Sequence, residues 1–208
     1  MSFKKNKYIV IRKAINKDLA IFMANYFLMK RQVLITCLKN RYISPFENML
    51  GTFEDEQIPN TYSCYSDIAM ETLMLKCQPV MEKATGLKLY PAYTYARIYK
   101  KGDELKRHKD RFSCEISTTM NLAGNDWPIY LEPSGKTDRK GTKVNLKPGD
   151  MLVYRGCDLE HWREKFKGEE CVQVFLHYNN SKTSGAKNNM FDRRPHLGLP
   201  SWFKRKND

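Results

Sequence analysis

The sequence lacks the features that mark several broad protein classes. It has six cysteines but no Cys-x-x-Cys pair, which argues against a zinc ribbon and a thioredoxin-type redox motif. Free thiols in a reducing cytoplasm fit this pattern best. The first apolar run, Tyr8 to Ile11, is too short for a signal sequence or a membrane span. We therefore expect a cytoplasmic protein with no membrane partner.

Acidic residues are few relative to basic ones. The chain carries 36 Lys and Arg against 23 Asp and Glu, a net charge of +13. Residues 1–41 and 180–208 hold all of this excess, and residues 42–179 are close to neutral. Solvated helix faces explain such ends, and a surface that attracts nucleic acid or another polyanion is the alternative.

The 208 residues are enough for one domain with a substantial core. We predict a single domain over 1–208, with mainly helical support at 1–87, a core of strands at 88–179 and a basic extension at 180–208. Helical spacing follows Asn16, a suitable N-cap, and a second helix begins near Asp67 and ends at Gly86. Residues 40–62 form a long functional or flexible connection.

From residue 88 the apolar period changes from helical to two. Tyr93, Tyr95, Arg97 and Tyr99 alternate with smaller residues on one strand. Further strands are predicted at Phe112–Leu122, Ile129–Leu131, Thr142–Leu146, Met151–Arg155 and Cys171–Tyr178. Short strands separated by Gly, Pro and Asp, without helices between them, predict an antiparallel sandwich or barrel.

Histidine is scarce, yet two of the four histidines stand in a pattern suited to metal binding. His108 and Asp110 are two residues apart, so in extended backbone they project to one side, and His161 follows the strand that contains Tyr154. Two imidazoles and one carboxylate on one face leave open positions that suit non-haem Fe(II) with a cosubstrate and dioxygen. Taken alone, this spacing is weakly specific.

The segment from Leu89 to Asn179 resembles the 2-oxoglutarate/Fe(II)-dependent oxygenases, on the prolyl 4-hydroxylase-like side and closest to small members from bacteria and phages. The resemblance rests on Tyr99-x-x-Gly102, His108-x-Asp110, Pro148-Gly149-Asp150, His161 and the closing strand Val172–Tyr178.

This resemblance implies an α+β fold, in which a double-stranded β-helix (a jelly-roll, cupin-like barrel) is supported by N-terminal helices. It implies that His108, Asp110 and His161 are catalytic and hold Fe(II), with 2-oxoglutarate as cosubstrate and O2 as oxidant. The reaction would hydroxylate a C–H bond while 2-oxoglutarate is decarboxylated to succinate. Tyr99 matches a tyrosine that often contacts the cosubstrate in this family. A role as a buried aromatic of the barrel is equally supported and compatible with it.

The closing strand departs from the family pattern, because it has no Lys or Arg for the distal carboxylate of 2-oxoglutarate. Another group must stand in, since a buried carboxylate needs a cation or several donors. Arg97 is the first candidate and Arg111 the second, with Gln173 and His177 as neutral helpers. An ordinary surface salt bridge is the alternative role for Arg97. Arg155, Trp162 and Arg163 are expected near the mouth of the barrel.

The substrate stays open: a prolyl residue in a peptide or protein, a free amino acid, a nucleobase and a small metabolite are all compatible with the sequence. Two other functions remain as alternatives. One is a basic protein that binds nucleic acid through its ends. The other is a cupin-like barrel that binds a metal without redox chemistry.

Overall fold

The structure is a computed structural model that describes residues 3–136 and 139–205. Its helices are α1 (Phe3–Asn6), α2 (Lys17–Lys39) and α3 (Ile68–Thr85). Its strands are β1 (Tyr8–Ile11), β2 (Tyr62–Tyr65), β3 (Leu89–Lys100), β4 (Leu105–His108), β5 (Ile116–Gly124), β6 (Ile129–Glu132), β7 (Thr142–Val144), β8 (Met151–Arg155), β9 (Glu160–Arg163) and β10 (Glu170–Asn180).

Local sequence signals fix the ends of the two long helices. The Asn16 side chain accepts a hydrogen bond from the Leu19 N–H at 2.8 Å and caps α2, as predicted. The Asp67 side chain caps α3 in the same way through the Met70 N–H. Gly86 ends α3 with φ of 73°, a conformation that glycine adopts without strain. No helix within the described residues combines the length and the apolar character needed to cross a membrane.

The strands form two antiparallel sheets. The larger sheet has the order β1-β8-β5-β10-β3-β2, and the smaller one has the order β4-β9-β6-β7. Side chains of β6 and β8, including Leu131 and Tyr154, belong to one buried cluster, so the sheets pack face to face. The mixed fold with two facing sheets confirms the predicted α+β barrel class.

Strict alternation on the larger sheet separates an apolar face from a polar one. On β5, Ile116 and Met120 point toward α2 and α3 and join the main core with Val174 of β10. Ser117 and Thr119 lie between them and face the interior of the barrel, where both are fully buried. The helices therefore cover one face, and the other lines a polar interior.

Three short strands were not predicted, and they matter for the site. β4 and β9 have four residues each, too few to show a period, and β2 begins at Tyr62, where the predicted connection ends. Phe112–Cys114, expected to begin a strand, forms a 3-10 turn instead. All six cysteines are free thiols, as expected.

The C-terminal segment folds back over α3 and β3. The Arg194 guanidinium is fully buried and lies 2.7 Å from the Glu71 carboxylate of α3. Arg194 also donates to the carbonyls of Ala92 and Leu199, so further hydrogen bonds satisfy its buried N–H groups. A buried pair of this kind is sensitive to the loss of either partner.

We expect Arg194→Met to lower the free energy of unfolding by about 3–5 kcal/mol, because it leaves the Glu71 carboxylate buried without its cation. Urea denaturation measures this change. Lys187→Met, at an exposed position of the same segment, is the control and should change stability by less than about 0.5 kcal/mol. Equal effects of the two substitutions would contradict a stabilising role for the pair.

Candidate metal centre

Two histidines face each other across a pair of neighbouring strands. β4 ends at His108, β9 carries His161, and the register pairs these residues directly. Their ring centroids lie 4.2 Å apart. Asp110 follows β4, and a 2.9 Å hydrogen bond from its backbone N–H to the Gly156 carbonyl holds it beside both rings.

The three side chains present their ligand atoms to one point. Asp110 Oδ1 lies 3.7 Å from His108 Nε2 and 3.4 Å from His161 Nε2. The ligand atoms of all three residues lie within 4.8 Å of one another. Each Nδ1 lies close to a backbone carbonyl, that of Lys106 at 2.7 Å and that of Leu159 at 3.1 Å. Because a carbonyl only accepts, Nδ1 carries the proton and Nε2 keeps its lone pair for a metal.

The local electrostatics keep the ligands in the protonation states that a metal requires. Burial raises the pKa of Asp110, but the contact with His161 and a 2.8 Å hydrogen bond from Ser117 outweigh burial and hold this pKa well below its usual value. Burial and the neighbouring His161 lower the pKa of His108. A charged carboxylate and a neutral imidazole result at neutral pH.

Close packing around Asp110 explains a glycine on the opposite loop. A Cβ at Gly156 would overlap with Asp110 Oδ2 and with the Cys114 carbonyl oxygen. The site therefore needs glycine at this position for close approach of the backbone.

A second cluster lies behind the carboxylate and contains Cys114, Ser117 and His177. Ser117 Oγ lies 2.8 Å from both Asp110 Oδ2 and the Cys114 carbonyl, and 3.0 Å from His177 Nδ1. The single hydroxyl proton goes to the charged Asp110 carboxylate, so Nδ1 of His177 must donate to Ser117. Burial lowers the pKa of His177 to about 4, so the ring is neutral at pH 7. Burial raises the pKa of the Cys114 thiol, which makes it a poor metal ligand.

An open cavity of about 560 Å³ leads to the three ligands. Its walls include the aromatic rings of Tyr93, Tyr95, Tyr154 and Phe175. The segment Glu54–Gln57, from the long connection between α2 and β2, forms part of its rim. The cavity thus joins an aromatic chamber to solvent beside the triad.

Arg97 faces this cavity, but its charge already has a partner. Its guanidinium donates to Asp55 through Nε at 2.8 Å and lies 2.7 Å from the same carboxylate through a terminal nitrogen. It also donates to the Gln57 Oε1 at 2.8 Å. The Gln57 amide nitrogen lies 3.2 Å from His108 Nε2, so a metal there would displace this contact. Arg97 therefore ties the rim segment to the barrel.

The other predicted cosubstrate residues have contacts of their own. Arg111 makes a two-point ion pair with Asp192 at 2.9 and 3.0 Å, at the edge of the cavity. Tyr99 is fully buried and packs edge-on against Trp127 at 4.7 Å. Gln173 accepts from the Thr119 hydroxyl at 3.0 Å inside the barrel.

Arg163 is not at the mouth, so that expectation is wrong. It is 1% exposed, because the alternation on β9 places it on the inward face with His161, two residues away. Trp162, between them, points outward and stacks on Tyr130. Arg155 is half-buried.

Asp55 and Gln57 are the site residues that the sequence did not single out. They come from an irregular segment without a period, and nothing in the spacing relates them to Arg97, some forty residues later. The only available signal was the unusual length of the connection at 40–62.

We expect Ser117→Ala to weaken divalent-metal binding by about 10-fold or more, because the hydroxyl that holds Asp110 Oδ2 is lost. Isothermal titration calorimetry with Mn(II), carried out without oxygen, measures the affinity. Thr119→Val is the control, since Thr119 shares the strand face but has no contact with the triad among the described residues. Unchanged affinity in Ser117→Ala, or an equal loss in the control, would contradict this role.

This chain is similar to known proteins in its three-dimensional structure. No protein-family model matches the sequence, and no curated protein matches it either. A prolyl-4-hydroxylase from Pseudomonas putida aligns over 86% of this chain and 95% of its own, with TM-score 0.59 and 12% identity. The non-heme alpha ketoglutarate dependent epimerase SnoN from nogalamycin biosynthesis aligns over 99% and 93%, with TM-score 0.61 and 12% identity.

EctD from S. alaskensis, solved with bound Fe, aligns over 86% of this chain and 74% of its own, with TM-score 0.58 and 15% identity. Identities this low establish the shared fold and leave the reaction open. The chain has the double-stranded β-helix fold of the 2-oxoglutarate/Fe(II)-dependent oxygenases.

Proposed function

We propose that this protein is a 2-oxoglutarate/Fe(II)-dependent oxygenase that hydroxylates a C–H bond of its substrate and converts 2-oxoglutarate to succinate. The observation that carries the proposal is the convergence of His108, Asp110 and His161 at the inner end of an open cavity. Two imidazoles and one carboxylate suit Fe(II) and leave positions for other ligands. The fold that the chain shares with a prolyl-4-hydroxylase, with an alpha ketoglutarate dependent epimerase and with the Fe-bound EctD supports the same function.

The residues around the candidate centre fit a mononuclear iron site. The carbonyls of Lys106 and Leu159 fix the orientation of the two rings, so that both Nε2 atoms face the carboxylate. Ser117 holds Asp110 Oδ2, which leaves Oδ1 for the metal. When bound there, Fe(II) with 2-oxoglutarate and dioxygen supplies the oxidising chemistry.

The cavity walls would position the substrate and limit the access of water. Tyr93, Tyr95 and Phe175 give the chamber apolar, flat surfaces, against which a small ring or an aliphatic side chain packs well. A segment of peptide or protein, with one side chain entering the chamber, is the substrate class that we propose. Its support is the open rim and the structural likeness to a prolyl-4-hydroxylase.

Three basic side chains of the C-terminal segment have partners within the chain, which gives these three no support for nucleic-acid binding. Arg194 is buried against Glu71, and Lys204 donates to the Asp192 carbonyl. Arg205 donates to the carbonyls of Asn188 and Met190. These contacts give Arg194, Lys204 and Arg205 a role within the chain.

We expect the purified protein to convert 2-oxoglutarate to succinate only when Fe(II) and O2 are supplied. Single substitutions His108→Ala, Asp110→Ala and His161→Ala should each reduce succinate formation by at least about 100-fold, because each removes a metal ligand. Succinate is measured by mass spectrometry. His196→Ala, which removes an exposed histidine on the C-terminal segment, is the control and should retain activity. Turnover that survives all three ligand substitutions would refute the proposed function.

A further inference from the structure

Arg163 is a cation enclosed in the barrel with only neutral partners. Its terminal nitrogens donate to the Thr119 hydroxyl at 3.1 Å, to the Gln173 Oε1 at 3.4 Å and to the Trp127 carbonyl. Its Nε has no hydrogen-bond partner within the described part of the chain.

The other arginines in or near the barrel differ from Arg163 in this respect. Arg97 has Asp55, Arg111 has Asp192 and Arg194 has Glu71, each at ion-pair distance. Within residues 3–136 and 139–205, no acidic side chain comes within 4.0 Å of the Arg163 guanidinium. A buried charge without a counter-charge is costly, so an anion that enters from outside would be bound strongly.

The groups around Arg163 have more donors than acceptors. The Gln173 amide nitrogen donates only to the Cys171 sulfur, at 3.1 Å, which is a weak acceptor. Gln173 Oε1 already accepts from the Thr119 hydroxyl and from Arg163. The cluster therefore lacks an oxygen that could accept from Arg163 Nε and from the amide, and a carboxylate supplies two.

The position of Arg163 relates this cluster to the candidate metal centre. Arg163 and His161 share the inward face of β9 and are two residues apart, about 6.6 Å along the strand. A ligand with a metal-binding group at one end and a carboxylate at the other would extend along this face from His161 toward Arg163. The described cavity reaches His161 and Phe175 but stops short of Arg163. We expect the Phe175 ring to turn aside when such a ligand enters.

We propose that Arg163, supported by Thr119 and Gln173, binds the distal carboxylate of 2-oxoglutarate, while Arg97 holds the rim segment through Asp55 and Gln57. This inference rests on the proposed function. The cation comes from the strand of the distal histidine, whereas Arg97 and Arg111 keep their acidic partners. A planar guanidinium meets a carboxylate at two points, which gives the pair its directionality.

The test is a calorimetric titration of the full chain loaded with Ni(II), which binds ligands without turnover. The probes are 2-oxoglutarate and pyruvate, which has the same oxoacid end but no second carboxylate. The wild-type protein should prefer 2-oxoglutarate by roughly 10- to 100-fold. Arg163→Gln should lose this preference, with the affinity for pyruvate unchanged. Arg97→Gln, the matched control, should keep it.

Two further measurements separate ligand binding from a structural role. The exchange variant Arg163→Gln with Gln173→Arg returns the cation to the same cluster and should restore part of the preference. Without ligand, Arg163→Gln should unfold at the same urea concentration as the wild type or a higher one, because an unpaired buried charge is removed. A large loss of stability, with the preference retained by the folded fraction, would overturn the inference.

The outcomes for the wild type and the variants are distinguishable. If the Ni(II)-loaded wild type binds neither oxoacid, the proposed function itself fails. If the wild type prefers 2-oxoglutarate and Arg163→Gln keeps that preference, only the role of Arg163 is refuted. Loss of the preference in Arg97→Gln instead would assign the carboxylate to Arg97.

Discussion

The direct pairing of His108 with His161 on two short antiparallel strands is the constraint on which the rest of the site depends. It sets two imidazoles 4.2 Å apart and leaves Asp110, just past the end of β4, as the carboxylate between them. Neighbouring groups act to keep that arrangement. Ser117 donates a hydrogen bond to Asp110 Oδ2, and the absence of a side chain at Gly156 leaves space for this oxygen. A metal-binding face thus follows from backbone pairing more than from the ligands' sequence spacing.

Buried charge organises the surroundings of this face. The larger sheet turns its apolar side to the helices, so its polar side chains are enclosed between the sheets and must find partners there. Arg97 forms an ion pair with Asp55 of the rim segment, and Arg194 forms one with Glu71 of α3. Arg163 has only neutral contacts. This difference separates arginines that hold the fold together from one whose environment suits an external anion.

The elements and caps that depend on local interactions were predictable from the sequence. A short hydrophobic run after the turn at Pro148-Gly149-Asp150 predicted the strand Met151–Arg155 with the bounds that the structure has, and the cap at Asn16 followed from residue type and helical spacing. The spacing of His108 and Asp110 in extended backbone indicated a shared face. The ion pair of Arg97 with Asp55 could not be predicted from local patterns, because it joins an irregular segment to a strand that is distant in sequence. The burial of Arg163 was missed because β9, with four residues, shows no readable period.

The proposed activity requires that two imidazoles and one carboxylate hold one metal ion. A crystal soaked with Mn(II) and measured for anomalous scattering tests it most directly. We predict a single strong peak within coordination distance of the Nε2 atoms of His108 and His161, with Asp110 Oδ1 as the third protein ligand. A peak at Cys114 and His177, or no peak inside the barrel, would contradict it.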